Sequence, residues 1–201
     1  MLPWKHRRFF AALLCLCAAG AGPEAAWAHE GAADLGGFAA GFMHPLLGWD
    51  HLLAMVAVGL WGSLLGGQAI WLLPVAFPLM MAVGGALGVA GVEIPGVEVG
   101  IASSAIVFGA AVASVTRPAP WILLLLVGAF AILHGHAHGT ELPLAASPLT
   151  YSAGFVVATG LLHVVGIGLG TFSDTRAGLV GVRLAGVAIA AAGMVFLAGA
   201  L

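Results

Sequence analysis

Six apolar segments, each long enough to cross a lipid bilayer, constrain this chain more than any other feature of its sequence. A transmembrane helix needs about 20 predominantly apolar residues, and every one of these segments reaches that length. Charged residues make up only 7% of the chain, against about 25% in soluble domains. The sequence therefore predicts an all-α fold, a polytopic membrane bundle of six transmembrane helices. The predicted spans are residues 36–62, 69–90, 97–116, 119–139, 148–170 and 178–200.

Residues 1–28 have the three parts of a cleavable secretory signal peptide. Basic residues precede an apolar run, and Ala26-Trp27-Ala28 fits the small-x-small cleavage pattern. The apolar run is about 14 residues long, which is shorter than the ~20 needed to span a bilayer. The alternative is an uncleaved first transmembrane helix. The predicted organisation is a signal peptide over 1–28 and one six-helix transmembrane domain over 29–201.

The basic residues beyond the predicted signal peptide indicate how the bundle is oriented. With the mature N terminus outside, Arg117 and Arg176 fall in cytoplasmic loops, and Arg183 lies near the cytoplasmic start of the last span. Lys and Arg are in excess on the cytoplasmic side of membrane proteins. Six spans then place the C terminus outside as well, so both mature termini are predicted on the periplasmic side.

Several classes of function are excluded by what the sequence lacks. Both cysteines, Cys15 and Cys17, fall in the predicted signal peptide, so the mature chain has no thiol for a disulfide, a thiolate metal site or a nucleophile. No basic run occurs outside the extreme N terminus, so nucleic-acid binding is not expected. No phosphate-binding loop motif occurs, which argues against ATP-driven pumping. No arrangement of a nucleophile with a general base stands out in the sequence. The chain is therefore predicted not to be an enzyme and to carry no prosthetic group.

A first polar cluster lies inside the apolar segment 36–62. It contains His44, Asp50 and His51. Residues seven apart lie nearly on one face of a helix, so the two imidazoles are predicted to line up. Proline at position 45 is expected to bend or start a helix locally. Glycine at position 48 is expected to let a partner helix approach closely.

A second polar cluster lies at the end of the apolar segment 119–139. His134 and His138 form an i,i+4 pair, about 6 Å apart on one helix face. Glu141 continues the same stripe toward the outer surface, whereas His136 points to the other side of the helix. Helical histidine pairs at this spacing are a familiar geometry for divalent metals.

Such polar groups are energetically unfavourable in a bilayer, so their presence in apolar segments indicates a functional role. A charged group at the membrane centre costs about 2.5–3.5 kcal/mol on insertion scales. Imidazole and carboxylate ligands without sulfur suit Ni²⁺, Co²⁺, Zn²⁺ and Cu²⁺. The depth of each residue predicts a series of ligands along a path, with Glu141 and His138 outermost, His134 and His44 about a third of the way in at 1.5 Å per residue, and Asp50 and His51 deeper. His163 falls in the inner half of the same series. Roles for His29, His136 and His163 are left open.

The sequence His44-x5-Asp50-His51, followed in the fourth span by His134-Gly-x-Ala-His138-Gly-x-Glu141, resembles the motif pair of the HupE/UreJ family. Members of that family are bacterial nickel or cobalt permeases, often encoded beside hydrogenase or urease genes. The resemblance implies secondary transport of Ni²⁺ or Co²⁺ inward across the bacterial inner membrane, with a functional link to hydrogenase or urease maturation. It also implies that the metal-handling residues are His44, Asp50, His51, His134, His138 and Glu141.

Two alternatives to transport stay open at the level of sequence. The chain could be a membrane metal-binding or assembly partner of a nickel enzyme, which would bind metal without moving it. It could also be a membrane metalloprotein or haem protein that uses the histidines as fixed ligands. Metal flux into liposomes separates the first alternative from transport, and a Soret absorption band would identify haem.

Overall fold

The structure is a computed structural model that describes residues 37–142 and 147–201. The predicted signal peptide and His29 lie outside the described residues. The regular elements in these ranges are helices, and a short 3₁₀ turn joins the last two. The helices are α1 Gly37–Leu47, α2 Trp49–Leu65, α3 Ala69–Val89, α4 Val97–Ser114, α5 Pro120–Thr140, α6 Pro148–Gly170 and α7 Arg176–Ala200, and the turn is Thr171–Asp174. The predicted all-α fold class is confirmed.

Five of the helices, α3 to α7, are long and apolar enough to cross a membrane. Their ends agree with the last five predicted spans to within two residues. Large apolar side chains such as Leu79 and Leu125 are exposed on the outside of the bundle. Lipid solvates such side chains, and helices satisfy their own backbone hydrogen bonds within the hydrocarbon. The chain is therefore a multi-pass membrane protein.

The first predicted span consists of two helices that meet at a bend. Helices α1 and α2 meet at an angle of 79° and together pass the length and hydropathy test for a sixth span. The break lies at Gly48, which has extended backbone angles of −80° and 105°. Pro45 lies within α1 and does not end it. His44 therefore belongs to the last turn of α1, and His51 to the first turn of α2.

We call the end of the bundle where α5 ends and α6 begins the cluster end. Helices α2, α4 and α6 run away from the cluster end, and α3 and α5 run toward it side by side. A Cβ atom on Gly84 of α3 would collide with the Ile132 carbonyl oxygen of α5, and one on Gly139 with the Gly85 carbonyl oxygen. Small residues thus bring the two backbones into contact, which is the usual way in which helices approach closely in lipid.

The arginines of the described chain lie at the opposite end from the cluster end. The Arg117 guanidinium donates to the Leu64 carbonyl oxygen at 2.8 Å. Arg183 donates to the Ala113 carbonyl oxygen at 2.7 Å, next to the end of α4. Arg176 is the first residue of α7. The two ends of the bundle therefore differ in charge, and positive charge is concentrated away from the cluster end.

Candidate metal centre

Three imidazoles from three helices meet inside the bundle at the cluster end. One nitrogen each from His44 of α1, His51 of α2 and His138 of α5 lie within 4.8 Å of one another. The ring of His138 lies 4.6 Å from that of His44 and 4.4 Å from that of His51, measured between centroids. We call these three residues the histidine cluster. Metal bonds of about 2.0–2.1 Å would hold such nitrogens about 3–4 Å apart, so small side-chain rotations would complete a site.

The predicted ordering of these residues by depth is wrong for the three histidines. His44, His51 and His138 share one location and do not follow one another along the membrane normal. The break at Gly48 explains the difference, because it turns the start of α2 back toward the end of α1. Residues seven apart are brought together here by a bend between two helices, and no shared helix face is involved.

The two predicted carboxylates flank the histidine cluster and do not enter it. Glu141 follows α5, and its Oε2 lies 3.7 Å from Nε2 of His44, with 35% of the side chain exposed. The Asp50 Oδ1 accepts the backbone N–H of His51 at 2.8 Å and lies 3.9 Å from Nε2 of the same residue. Asp50 thus satisfies a free N–H group in the first turn of α2, where a negative charge is also favourable.

Gly48 makes room for the side chains of the site. A Cβ atom there would lie 3.0 Å from Cδ2 of His51 and 3.3 Å from Oδ1 of Asp50. The expected reason for this glycine, close approach by a partner helix, is therefore wrong. The glycine leaves space for both side chains, which lie close to the break between α1 and α2.

His134 lies one α5 turn further into the bundle and is fully buried. Its Nδ1 lies 2.7 Å from Nδ1 of His51, and its Nε2 lies 2.8 Å from Oγ of Ser104 on α4. The Ser104 hydroxyl is also 2.7 Å from the Ile101 carbonyl oxygen. His134 and His138 therefore share a helix face, as predicted, but both ring nitrogens of His134 are occupied by hydrogen bonds.

This network assigns the protons on both imidazoles. A hydroxyl has one hydrogen, and the Ile101 carbonyl can only accept, so Ser104 donates to Ile101 and accepts from Nε2 of His134. A neutral His134 then accepts at Nδ1, and His51 must donate from its own Nδ1. Nε2 of a neutral His51 is left with a lone pair. The orientation of a metal-ligating imidazole is commonly fixed in this way through its other nitrogen.

Aromatic side chains of α6 form one wall of the histidine cluster. The ring of Phe155 lies 4.0 Å from that of His138, and the ring of Tyr151 lies 6.1 Å from that of His44. A cavity of about 540 Å³ lies beside His138, between α3, α5 and α6, and both aromatic residues line it. This wall separates the imidazoles from the lipid-facing surface of α6.

The remaining histidines of the described chain lie outside this cluster. Nε2 of His136 donates to the Val92 carbonyl oxygen at 2.6 Å, on the other side of α5, as its predicted direction requires. His136 therefore ties α5 to the loop between α3 and α4. His163 lies on α6, fully buried, and its ring contacts Phe77 at 5.6 Å.

Ser104, Tyr151 and Phe155 are the residues of the site that the sequence motifs did not indicate. Ser104 is a hydroxyl within an apolar span, which is a general sign of a polar interaction inside the membrane. Tyr151 is the one tyrosine of the chain and lies in the first turn of α6. Neither signal specifies a partner, because Ser104 reaches the site from α4 and Tyr151 from α6, whereas the three histidines belong to other helices.

Comparisons with known proteins agree with these observations. The sequence model of the family described as "HupE / UreJ protein" matches residues 16–196. "Protein HupE" of Rhizobium leguminosarum bv. viciae is 48% identical to this chain over 179 residues, which is 88% of this chain and 92% of that protein. No solved structure gives a significant match. Because the family match covers most of the sequence, the chain belongs to the HupE/UreJ family.

Proposed function

We propose that this protein carries Ni²⁺ or Co²⁺ inward across the bacterial inner membrane by secondary transport. The metal is cargo, and the protein acts as a permease without enzymatic activity or a prosthetic group. The observation that carries the proposal is the meeting of His44, His51 and His138 within 4.8 Å inside the bundle. Three imidazoles gathered from three helices at this distance can bind one divalent metal ion together.

The chemistry of the cluster supports a borderline transition metal as the cargo. Imidazole suits Ni²⁺, Co²⁺, Zn²⁺ and Cu²⁺, whereas Mg²⁺ and Ca²⁺ prefer oxygen ligands alone. The described chain offers no thiolate, because both cysteines precede residue 37. Membership of the HupE/UreJ family favours nickel or cobalt among these ions, and it favours a functional link to hydrogenase or urease maturation.

Glu141 is proposed to admit the ion to the histidine cluster. Its carboxylate is partly exposed and lies 3.7 Å from His44, so it can attract a hydrated cation and pass it to the first imidazole. The arginines lie at the other end of the bundle, as described above. By the excess of positive charge on the cytoplasmic side, the cluster end is proposed to face the periplasm, where the ion enters.

His134 is proposed to act mainly through His51, as a positioning residue. Both of its ring nitrogens are hydrogen-bonded, one to His51 and one to Ser104. The resulting proton arrangement leaves a lone pair on Nε2 of His51, which is the form that can bind metal. Asp50 is proposed to support the same imidazole by holding the first turn of α2.

Uptake of radioactive nickel into proteoliposomes tests the proposal. We expect the wild-type protein to take up Ni²⁺. His44→Ala and His138→Ala should each reduce the initial uptake rate at least about tenfold, because loss of a group that is only hydrogen-bonded to a metal ligand commonly lowers affinity or activity by that factor. His136→Gln keeps an N–H donor for Val92 and is the matched control, expected to transport like wild type. Wild-type rates in both alanine variants would contradict the proposal. Bound metal without any flux would favour an assembly partner.

A further inference from the structure

Four buried residues follow one another at four-residue intervals along a single ridge of α6. They are Tyr151, Phe155, Thr159 and His163, whose exposed fractions are 3%, 4%, 0% and 0%. The first two form the aromatic wall of the histidine cluster. At 1.5 Å per residue, His163 lies about 12 Å beyond Phe155 along the helix. The ridge therefore leads from the histidine cluster toward the opposite end of the bundle.

Thr159 and His163, the two residues of this ridge farther from the histidine cluster, are polar. Their side chains have no hydrogen-bond partner among the described residues. Both ring nitrogens of His163 and Oγ1 of Thr159 are buried without a hydrogen bond. Hydroxyls inside helices ordinarily donate to a carbonyl of the preceding turn, as Ser103 and Ser104 do on α4. Thr159 does not. An unsatisfied buried group costs about 1–3 kcal/mol, so a purely structural role would favour apolar residues here.

His163 is also linked to the site through an aromatic neighbour. The Phe77 ring of α3 lies 5.6 Å from the ring of His134 and 5.6 Å from that of His163. The two imidazoles are therefore separated by one side chain. His134 has polar partners on both nitrogens, whereas His163, beyond Phe77, has none within the part of the chain described here.

We propose that His163 and Thr159 form an inner binding station for the cargo, a partly hydrated divalent transition metal that has left the histidine cluster. Residues at i and i+4 are neighbours on a helix surface, so one imidazole nitrogen and one hydroxyl oxygen can bind the same ion or its water. A station with a single imidazole holds the ion less tightly than three do, which suits onward release. This inference rests on the proposed transport function.

The first test compares stability with uptake in His163→Leu. The substitution replaces an imidazole that has two unpartnered nitrogens with an apolar side chain of similar size. The melting temperature should therefore stay the same or rise. The Kd for Ni²⁺ at the histidine cluster should also stay at its wild-type value. The uptake rate in proteoliposomes should nevertheless fall at least about tenfold. Thr159→Val, which is nearly isosteric, should lower uptake in the same direction, and His136→Gln should leave it unchanged.

The second test detects the inner station by binding alone. In the double variant His44→Ala/His138→Ala, Co²⁺ titration should give a weak residual visible absorption band, and adding His163→Leu should abolish that band. Wild-type uptake in His163→Leu together with an unchanged cobalt band would overturn the inner station. Failure of both His163→Leu and Thr159→Val to fold would also overturn it, because both groups would then be structural. If wild type shows no uptake, transport itself fails, and the cobalt band alone decides on the station.

Discussion

At the scale of single residues, His51 connects the histidine cluster to hydrogen bonds that end in the backbone of α4. Its Nδ1 pairs with His134, which in turn pairs with Ser104 and so with the Ile101 carbonyl. The direction of these bonds follows from the single hydroxyl hydrogen of Ser104. The state of a residue on another helix therefore decides which nitrogen of His51 can bind metal.

Ser104→Ala should weaken metal binding although the serine is not proposed to touch the ion. Without the hydroxyl, Nε2 of His134 loses its acceptor and the tautomer of His51 is no longer fixed. Loss of a group that orients a metal ligand commonly lowers metal affinity about 10–100-fold. Isothermal titration with Ni²⁺ should therefore show a Kd raised by about that factor.

The adjacent serine supplies the control for this prediction. Ser103 donates only to a carbonyl of its own helix, so Ser103→Ala should keep the wild-type Kd. Nitrogen NMR of the histidine side chains provides a second measurement. A single His51 tautomer is expected in wild type and a mixture in Ser104→Ala. Equal Kd values and equal spectra for the two variants would show that the hydrogen bonds do not position His51.

The site residues could be predicted from the sequence only in part. The motif spacing identified the three members of the histidine cluster and also Glu141, because imidazoles and carboxylates are conspicuous in apolar spans. The contribution of Ser104 could not be predicted, since one hydroxyl in a span gives no indication of the helix that it faces. The occupation of both nitrogens of His134 depends on that same unseen contact.

At the scale of helices, close contact between α3 and α5 holds the site together. His134 and His138 project from α5, and the parallel neighbour α3 contacts α5 through glycines that leave no room for a side chain. Interhelical packing of this kind replaces the hydrophobic effect as the source of association in lipid. The position of the second polar cluster therefore depends on residues that take no part in binding.

Gly84→Ala should destabilise the protein, because its methyl group would collide with the Ile132 carbonyl oxygen on α5. Overpacking of a close contact typically costs about 1–3 kcal/mol. Gly168→Ala is the matched control, since nothing lies within 4 Å of its Cβ position on α6. It should be neutral or stabilising by up to about 1 kcal/mol through helix propensity. Unfolding in SDS measures both, and equal stabilities would contradict the packing account.

The ends of the helices could be predicted closely, whereas the break in the first span could not. Apolar runs end where the polar loops begin, and for this reason α3 to α7 match the predicted spans. The segment 36–62 contains polar residues on both sides of Gly48, but their spacing does not specify a break at this glycine. The break is visible only in the structure, where Gly48 has extended backbone angles and the side chains of His51 and Asp50 lie close to it.

At the scale of the whole molecule, the positively charged side chains and the histidine cluster lie at opposite ends of the bundle. The arginines cluster at the far ends of α2 and α4 and the start of α7. Glu141 and the histidine cluster lie where α5 ends. This asymmetry is the basis for the proposed orientation, with metal entering at the periplasmic face.

Cysteine labelling should test the orientation in intact cells. In a chain whose Cys15 and Cys17 are replaced by serine, Glu93→Cys lies in an exposed loop at the cluster end and should react with a membrane-impermeant maleimide. Gln68→Cys lies in an exposed loop at the opposite end and should react only after the cells are opened. The reverse pattern would mean that the histidine cluster faces the cytoplasm, which would contradict entry of the metal at the periplasmic face.

The central claim, that the three imidazoles of the histidine cluster bind the transported ion together, is tested most directly by X-ray absorption spectroscopy of the nickel-loaded protein. The account predicts three imidazole nitrogens around Ni²⁺ in wild type, corresponding to the three residues that meet in the structure. His44→Ala, His51→Ala or His138→Ala should each show one imidazole fewer or bind no nickel, while His136→Gln should keep all three. Coordination by oxygen alone, or an unchanged imidazole signal after all three residues are replaced by alanine, would contradict it.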